Sequence, residues 1–246
     1  MLLDGVQIVL VKTRFPENIG MAARACANMG CPAIRLVDPE RWDREKAGPL
    51  ATPKGQSLLD GIRVNPDLAV AVAESSLVLG TTARTGGWRQ ALLAPGQAAR
   101  EVAAALDRDE KDSLVFPEDR GLNNEEITHC QRLVTIPTDA AASSLNLAQA
   151  VLLMLYECAN AVRAVRAFPD AEKTGTSGGG RAVTAEEQER LMDALKGMLL
   201  GLDYLHGDNP DYFLMPWRRM FSRAGLRRHE YDALMGLCRQ VRHKLG

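Results

Sequence analysis

The sequence predicts an α/β fold: a mostly parallel sheet with helices on both faces, followed by a small all-helical extension. Three observations predict it. Short apolar, β-branched runs alternate with helical stretches through the first two thirds of the chain, the pattern of βαβ units. A Gly/Ser-rich stretch around Thr176-Ser177-Gly178-Gly179-Gly180 then breaks all periodicity, as a flexible linker does. Beyond it only helical patterns remain. The expected boundaries are 1–168 for the sheet domain, 169–183 for the linker and 184–246 for the extension.

Taken in order, Val6–Val11 is almost wholly apolar and reads as a buried strand. After a loop containing Pro16, Asn18 is placed to cap a helix that stops at Gly30. Ala33–Val37 is the next strand, ended by Asp38-Pro39. An irregular stretch with Pro49, Pro53 and Gly55 follows, then a helix over 68–74 and a strand over 77–80. An Ala-rich helix over 97–106 leads to a strand at 113–116, a short helix at 124–130 and a strand at 133–136. The longest helix spans 144–166. Its row Leu145, Ala148, Leu152, Leu155, Ala159 and Val162, flanked by Leu147, Val151, Met154 and Cys158, makes a wide apolar face. Such a face implies burial against the sheet and against another subunit. Helices at 184–206, 210–223 and 227–244 complete the chain.

The 246 residues are 46% hydrophobic and 25% charged with a net charge of −1, an ordinary globular composition. No apolar run approaches the roughly 18 residues of a membrane span, and no signal-peptide pattern opens the chain. A cytoplasmic protein is expected. The five cysteines form no CxxC pair and the four histidines are dispersed, so no metal site is expected and the thiols read as free and buried. Charge is uneven: 212–246 carries a net +6 and 184–211 a net −5. A basic end suits a localised anionic partner; a solvated helix face is the other reading.

Four polar fragments stand where strands hand over to loops or helices, the place where open α/β sheets bind ligands. In Asn18-Ile19-Gly20-Met21-Ala22-Ala23-Arg24, Gly20 leaves room for a ligand atom, and Arg24 presents a planar fork suited to phosphate or carboxylate. Pairing of Arg24 with Glu118 is the structural alternative. Pro117-Glu118-Asp119-Arg120-Gly121-Leu122 brings a carboxylate beside a glycine able to take positive φ. Ser143-Ser144-Leu145-Asn146 opens the long helix, where Ser143 or Ser144 can cap and exposed amides can hold a ligand. Gly80-Thr81-Thr82-Ala83-Arg84 adds small side chains, free amides and another arginine. No GxSxG elbow supports a serine nucleophile, and the glycine run at 178–180 lacks the Gly-Lys-Ser/Thr of a P-loop.

These fragments, together with Asn124-Glu125-Glu126, Ile136 and the C-terminal Pro216-Trp217-Arg218-Arg219-Met220-Phe221, make the chain resemble the SpoU/TrmH branch of the SPOUT RNA 2′-O-ribose methyltransferases, within it the bacterial TrmJ type. The resemblance implies a trefoil knot, a rare exception to unknotted folds, built from the loops after Leu79, Phe116 and Ile136. It implies S-adenosylmethionine held at Thr81, Thr82, Ala83, Pro117, Ile136, Ser143, Ser144 and Leu145. Arg24, Asn18, Glu118, Ser144 and Asn146 are the implied catalytic set, with Arg24 of one subunit of a homodimer beside the cofactor of the other. The implied reaction is 2′-O-methylation of tRNA at anticodon-loop nucleotide 32, a cytidine or uridine, with Arg84, Arg218, Arg219, Arg227 and Arg228 on the RNA.

One departure stands out. The family's second motif reads Phe-Gly-x-Glu, whereas this chain has Phe116-Pro117-Glu118, one residue shorter, and proline has no amide to donate. Two other readings stay open: a catalytically silent RNA-binding protein of the same fold, and a methyltransferase acting on ribosomal RNA.

Overall fold

Every strand pair in the sheet is parallel. The computed structural model describes residues 1–84, 92–118, 121–142, 144–167, 180–205 and 209–245; the expected cofactor contact at Ser143 and most of the expected linker lie outside them. Strands β1 (Val6–Val11), β2 (Ala33–Val37), β3 (Arg63–Asn65), β4 (Leu77–Thr81), β5 (Asp112–Pro117) and β6 (Arg132–Val134) form one sheet in the order β3-β2-β1-β5-β4-β6. Helices α1 (Pro16–Met29), α2 (Arg44–Ala47), α3 (Thr52–Asp60), α4 (Leu68–Val72), α5 (Pro95–Leu106), α6 (Asn124–Thr128) and α7 (Leu147–Ala167) connect and cover them.

Alternate residues of a strand face opposite layers. In β1, Val6, Ile8 and Leu10 enter the main core with Ile19 of α1 and Met154 and Leu155 of α7. Gln7 faces the other layer, where its amide donates to the Ala71 carbonyl of α4 at 3.0 Å and to Ser113 at 2.7 Å. Helices therefore lie on both faces, as expected, with α1, α5 and α7 packed together on one of them.

Several expectations need correcting. Helix α1 starts at Pro16, with Phe15 at its N-cap; proline pre-set for the first helical position moves the start upstream of Asn18, so Asn18 is not the cap. The stretch expected to be irregular holds α2, α3 and β3, because Pro53 starts α3 rather than breaking it. Ser144 is not the cap of α7: Asn146 is, its Oδ1 accepting from the Ala148 amide at 2.9 Å. The apolar face of α7 is buried in part: Leu155, Ala159 and Val162 enter the core, while Leu152 is 41% exposed beside the exposed Leu153 and Tyr156. Gly20 opens no path to a ligand; a Cβ there would stand 2.1 Å from the Ala47 carbonyl oxygen. At the other end of α1, Gly30 takes the left-handed conformation of a helix stop, φ 74°.

The chain divides into two compact units, Met1–Thr174 and Gly175–Gly246. In the second, α8 (Ala185–Gly201), α9 (Pro210–Ala224) and α10 (Arg228–Leu245) surround a separate core of Leu191, Leu195, Leu199, Phe221 and Cys238. Residues 182–183, expected in the linker, are fastened to this unit: Ala182 bridges Arg227, and the Val183 amide donates to the Leu226 carbonyl at 3.0 Å. Thr184 and Glu187 form a capping box at the start of α8. Hydrogen bonding to Arg181, then to the Thr184 amide, and the charge of Arg228 hold the Glu187 carboxyl down at about 2 despite partial burial.

Candidate active site

All six strands point their carboxyl ends to one edge, so the segments following β1, β4, β5 and β6 meet there. Together with the start of α7 they enclose a cavity of about 370 Å³. Its lining contains Asn18, Thr81, Thr82, Ala83, Arg84, Pro117, Glu118, Ile136, Ser144, Leu145 and Asn146, every one a residue singled out from the sequence. Phe15, Phe116, Gly121, Leu147 and Ala150 also line it. Of these, Gly121 carried a signal, and its φ of 69° matches it. Phe15 carried none, because an exposed aromatic before a proline has no characteristic pattern.

Three polar side chains from three distant fragments form one hydrogen-bond relay. Glu118 accepts from the Asn18 side-chain amide on Oε1, and on Oε2 from the backbone amides of Arg14 at 2.5 Å and Phe15 at 3.4 Å. Asn18 Oδ1 in turn accepts from Asn146 Nδ2 at 2.9 Å. Because Asn146 Oδ1 is committed to the amides at the start of α7, its NH₂ group must face Asn18. That donor fixes Asn18 with its oxygen toward Asn146 and its NH₂ toward Glu118. Asn18 and Glu118 are 6% and 9% exposed, and their side-chain polar atoms find partners within the relay, as buried polar groups require.

The β4 loop is held in a different way. Thr81 Oγ1 donates to the Val115 carbonyl at 3.1 Å, and Thr82 Oγ1 donates to the Arg84 carbonyl while accepting its amide. What this loop offers a ligand is therefore mainly backbone. Pro117 disturbs no sheet hydrogen bond. The Glu118 amide donates to Val11 on the β1 side at 3.2 Å, and alternation turns position 117 toward β4, whose ladder with β5 has already ended at Gly80–Val115. On that side lies the cavity, to which proline presents no N–H.

Arg24 is not in the cavity. It sits exposed on α1 and makes no hydrogen bond or ion pair among the described residues, so the alternative pairing with Glu118 does not occur. Of the arginines expected on RNA, Arg84 is exposed at the cavity rim. Arg218 pairs with both oxygens of Glu189, and Arg228 pairs with Glu187 and Asp232 and lies over the Tyr231 ring. Arg219 and Arg227 are half-buried, and the Arg227 amide donates to Glu230 at 2.7 Å.

The profile of the SpoU rRNA Methylase family matches residues 5–156, the span that contains the sheet and the whole relay. The chain belongs to the SpoU methylase family. Among relatives, the tRNA (cytidine/uridine/adenosine-2'-O-)-methyltransferase TrmJ of Pseudomonas aeruginosa (strain UCBPP-PA14) is 35% identical, over 96% of this chain and 93% of that protein. The crystal structure of TrmJ from Z. mobilis ZM4 is similar with a TM-score of 0.78 and 29% identity, covering 96% of this chain and 98% of that one. The SpoU methyltransferase AviRb from Streptomyces viridochromogenes, solved in complex with AdoMet, shares the fold alone. Its TM-score is 0.50 at 22% identity, over 64% of this chain and 60% of that one. The SpoU methylase fold thus extends through the first unit, and the likeness to both TrmJ proteins continues into the helical extension.

Proposed function

We propose that this chain transfers a methyl group from S-adenosylmethionine to a ribose 2′-hydroxyl of tRNA, working as a homodimer. The relay of Asn18, Glu118 and Asn146 carries this reading, because it joins the strand-end fragments into one cavity wall. The relatives named as tRNA 2′-O-methyltransferases support the substrate. We further place the target at anticodon-loop nucleotide 32, a cytidine or uridine, and a trefoil knot around the cavity, on the family resemblance. Residues 1–168 are assigned the chemistry and 184–246, with the fastened residues 182–183, a helical extension for RNA, joined by a linker within the expected 169–183.

The cavity suits the cofactor. Its volume lies within the roughly 300–1,000 Å³ of small-molecule sites, and it pairs an apolar wall of Phe116, Ile136, Leu145 and Leu147 with polar groups at Ser144, Asn146 and Glu118. The cofactor supplies an electrophilic methyl group on a sulfonium. The chain must then hold the RNA 2′-oxygen in line. Thr81, Thr82, Ala83, Pro117, Ile136, Ser143, Ser144 and Leu145 would hold the cofactor, and the relay keeps the β1–α1 turn rigid beside it. Arg24, outside the cavity of its own chain, would serve the cavity of the second subunit. A guanidinium is a donor-only cation and a poor base, so Arg24 would bind the target's phosphate and stabilise charge growing on the 2′-oxygen, while a phosphate oxygen or water accepts the proton.

The test is transfer of labelled methyl from S-adenosylmethionine to unmodified tRNA transcripts by wild type and Arg24→Ala, with the product mapped to its nucleotide. The expected outcome is incorporation at nucleotide 32 by the wild type and at least a hundredfold less by the variant, about 3 kcal/mol of lost transition-state stabilisation. Incorporation only into ribosomal RNA would overturn the tRNA assignment. A second reading, a silent RNA-binding protein, is favoured by the missing amide at Pro117. RNA binding without measurable S-adenosylmethionine binding would establish it instead.

A further inference from the structure

A second cleft adjoins the first and shares one wall with it. It measures about 330 Å³ and is lined by Arg14, Phe15, Glu17, Glu40, Arg41 and Lys46, with Pro16 beside them. Phe15 lines both spaces and is 50% exposed. It occupies the N-cap of α1 yet makes no side-chain cap bond, at a position where Ser or Asp would cap the helix. Its backbone and that of Arg14 are clamped to Glu118, so the turn is held from the protein side while the side chains project outward. The Arg14 guanidinium lies 5.7 Å from the Phe15 ring centre and 3.7 Å from Glu40.

The chemistry of the lining selects the ligand. Two carboxylates, Glu17 and Glu40, stand among the three cations, so the lining is mixed rather than the uniformly basic surface that suits a phosphate backbone. A nucleobase edge presents donors and acceptors together, and this cleft offers both: cationic donors on Arg14, Arg41 and Lys46, acceptors on the two carboxylates. RNA-binding proteins read splayed bases in this way, by stacking on aromatic rings and guanidinium planes with hydrogen bonds along the edge. A base and its ribose are one glycosidic bond apart, so a base against one side of Phe15 carries its ribose to the lip of the neighbouring cavity.

We infer that this cleft seats the unstacked base of the nucleotide being methylated, with Phe15 as its stacking platform. The inference rests on the methyl-transfer reading above. It makes Phe15 a positioning residue for RNA and Glu118 the group that aims it.

The experiment compares wild type, Phe15→Leu, Phe15→Tyr and Phe15→Ser in methyl transfer to unmodified tRNA transcripts, alongside calorimetric Kd values for S-adenosylmethionine. Phe15→Ser supplies a helix cap, so its fold is kept. Expected are kcat/KM values for RNA lowered about tenfold or more in the Leu and Ser variants, in line with loss of one base stack, with Tyr near wild type and cofactor Kd unchanged in all. Arg41→Glu, which leaves the ring in place, lowers the same ratio. Wild-type kcat/KM in Phe15→Leu would overturn the stacking platform, and cofactor binding lost in step with activity would assign Phe15 to the first cavity alone. Wild-type kcat/KM in Arg41→Glu would remove the cleft as the base seat. No transfer by the wild type is the separate failure of the methyl-transfer reading, and the seat falls with it.

Discussion

Glu118 accepts hydrogen bonds from two backbone amides and one side-chain amide, a set that no other side chain reproduces. In Glu118→Gln, one carboxylate oxygen becomes an NH₂ facing an N–H donor. Asn18 cannot flip to relieve it, because Asn146, locked by its capping role, requires the Asn18 oxygen where it is. The variant is expected to lose about 1–3 kcal/mol in urea denaturation and most of its methyl transfer. Asp112 is the opposite case, a carboxyl with no exposure and no hydrogen-bond partner for either side-chain oxygen among the described residues. Burial, reinforced by Glu110 and opposed by Arg108, pushes its pKa up to about 8. The folded state therefore holds this proton more tightly than the unfolded chain, so the group's contribution to stability falls as pH rises from about 4 to about 8. Asp112→Asn removes the titration. Denaturation at pH 5 and pH 8.5 is expected to find the variant gaining on wild type at the higher pH, on the order of 3 kcal/mol. Glu118 was singled out in the sequence and Asp112 was not; neither the relay nor the isolation was legible there, since each depends on neighbours that fold in from elsewhere.

At the scale of elements, prolines and glycines carry the instruction, and their meaning depends on context. Pro16, Pro53, Pro95 and Pro210 all open helices, where a fixed φ and an absent N–H are harmless. Read as breakers, Pro49 and Pro53 hid α2 and α3 from sequence reasoning, whereas the strongly apolar β1, β4 and β5 were legible because strand burial leaves a dense local signal. Glycines divide in the same way. Gly20 lets α2 approach α1 so closely that a Cβ would overlap the Ala47 carbonyl oxygen, while a Cβ at Gly236 in α10 would meet nothing within 4 Å. Gly20→Ala is expected to destabilise the first unit by about 3 kcal/mol. Gly236→Ala, by improved helix propensity alone, is expected to stabilise the second by about 0.5–1 kcal/mol. Thermal denaturation of the two variants checks both signs.

For the molecule as a whole, the exposed apolar residues of α7 and the position of Arg24 bear on the same question. Leu152, Leu153 and Tyr156 are 41%, 42% and 51% exposed, and Arg24 lies outside the cavity of its own chain. A second copy covering α7 and delivering Arg24 would account for both. Leu153→Glu, which places a charge on that face without altering the core, is expected to shift sedimentation from dimer to monomer. Methyl transfer should fall with it while the circular dichroism stays that of the wild type. A dimeric, fully active variant would exclude this face from the interface.

The types of most strands and helices and the polar fragments at strand ends could be read along the chain, because they rest on short-range sterics and periodicity. Which of those fragments meet could not. Asn18 reaches Glu118 across 100 residues and Asn146 across 128, contacts created by the strand order β3-β2-β1-β5-β4-β6 and by no local preference. The same long-range packing placed Gly20 against a carbonyl rather than a ligand, turned Leu152 outward and made Phe15 the wall between two clefts. Local pattern specifies an element's type and one buried face; partner, register and exposure come from the free energy of packing all the elements at once.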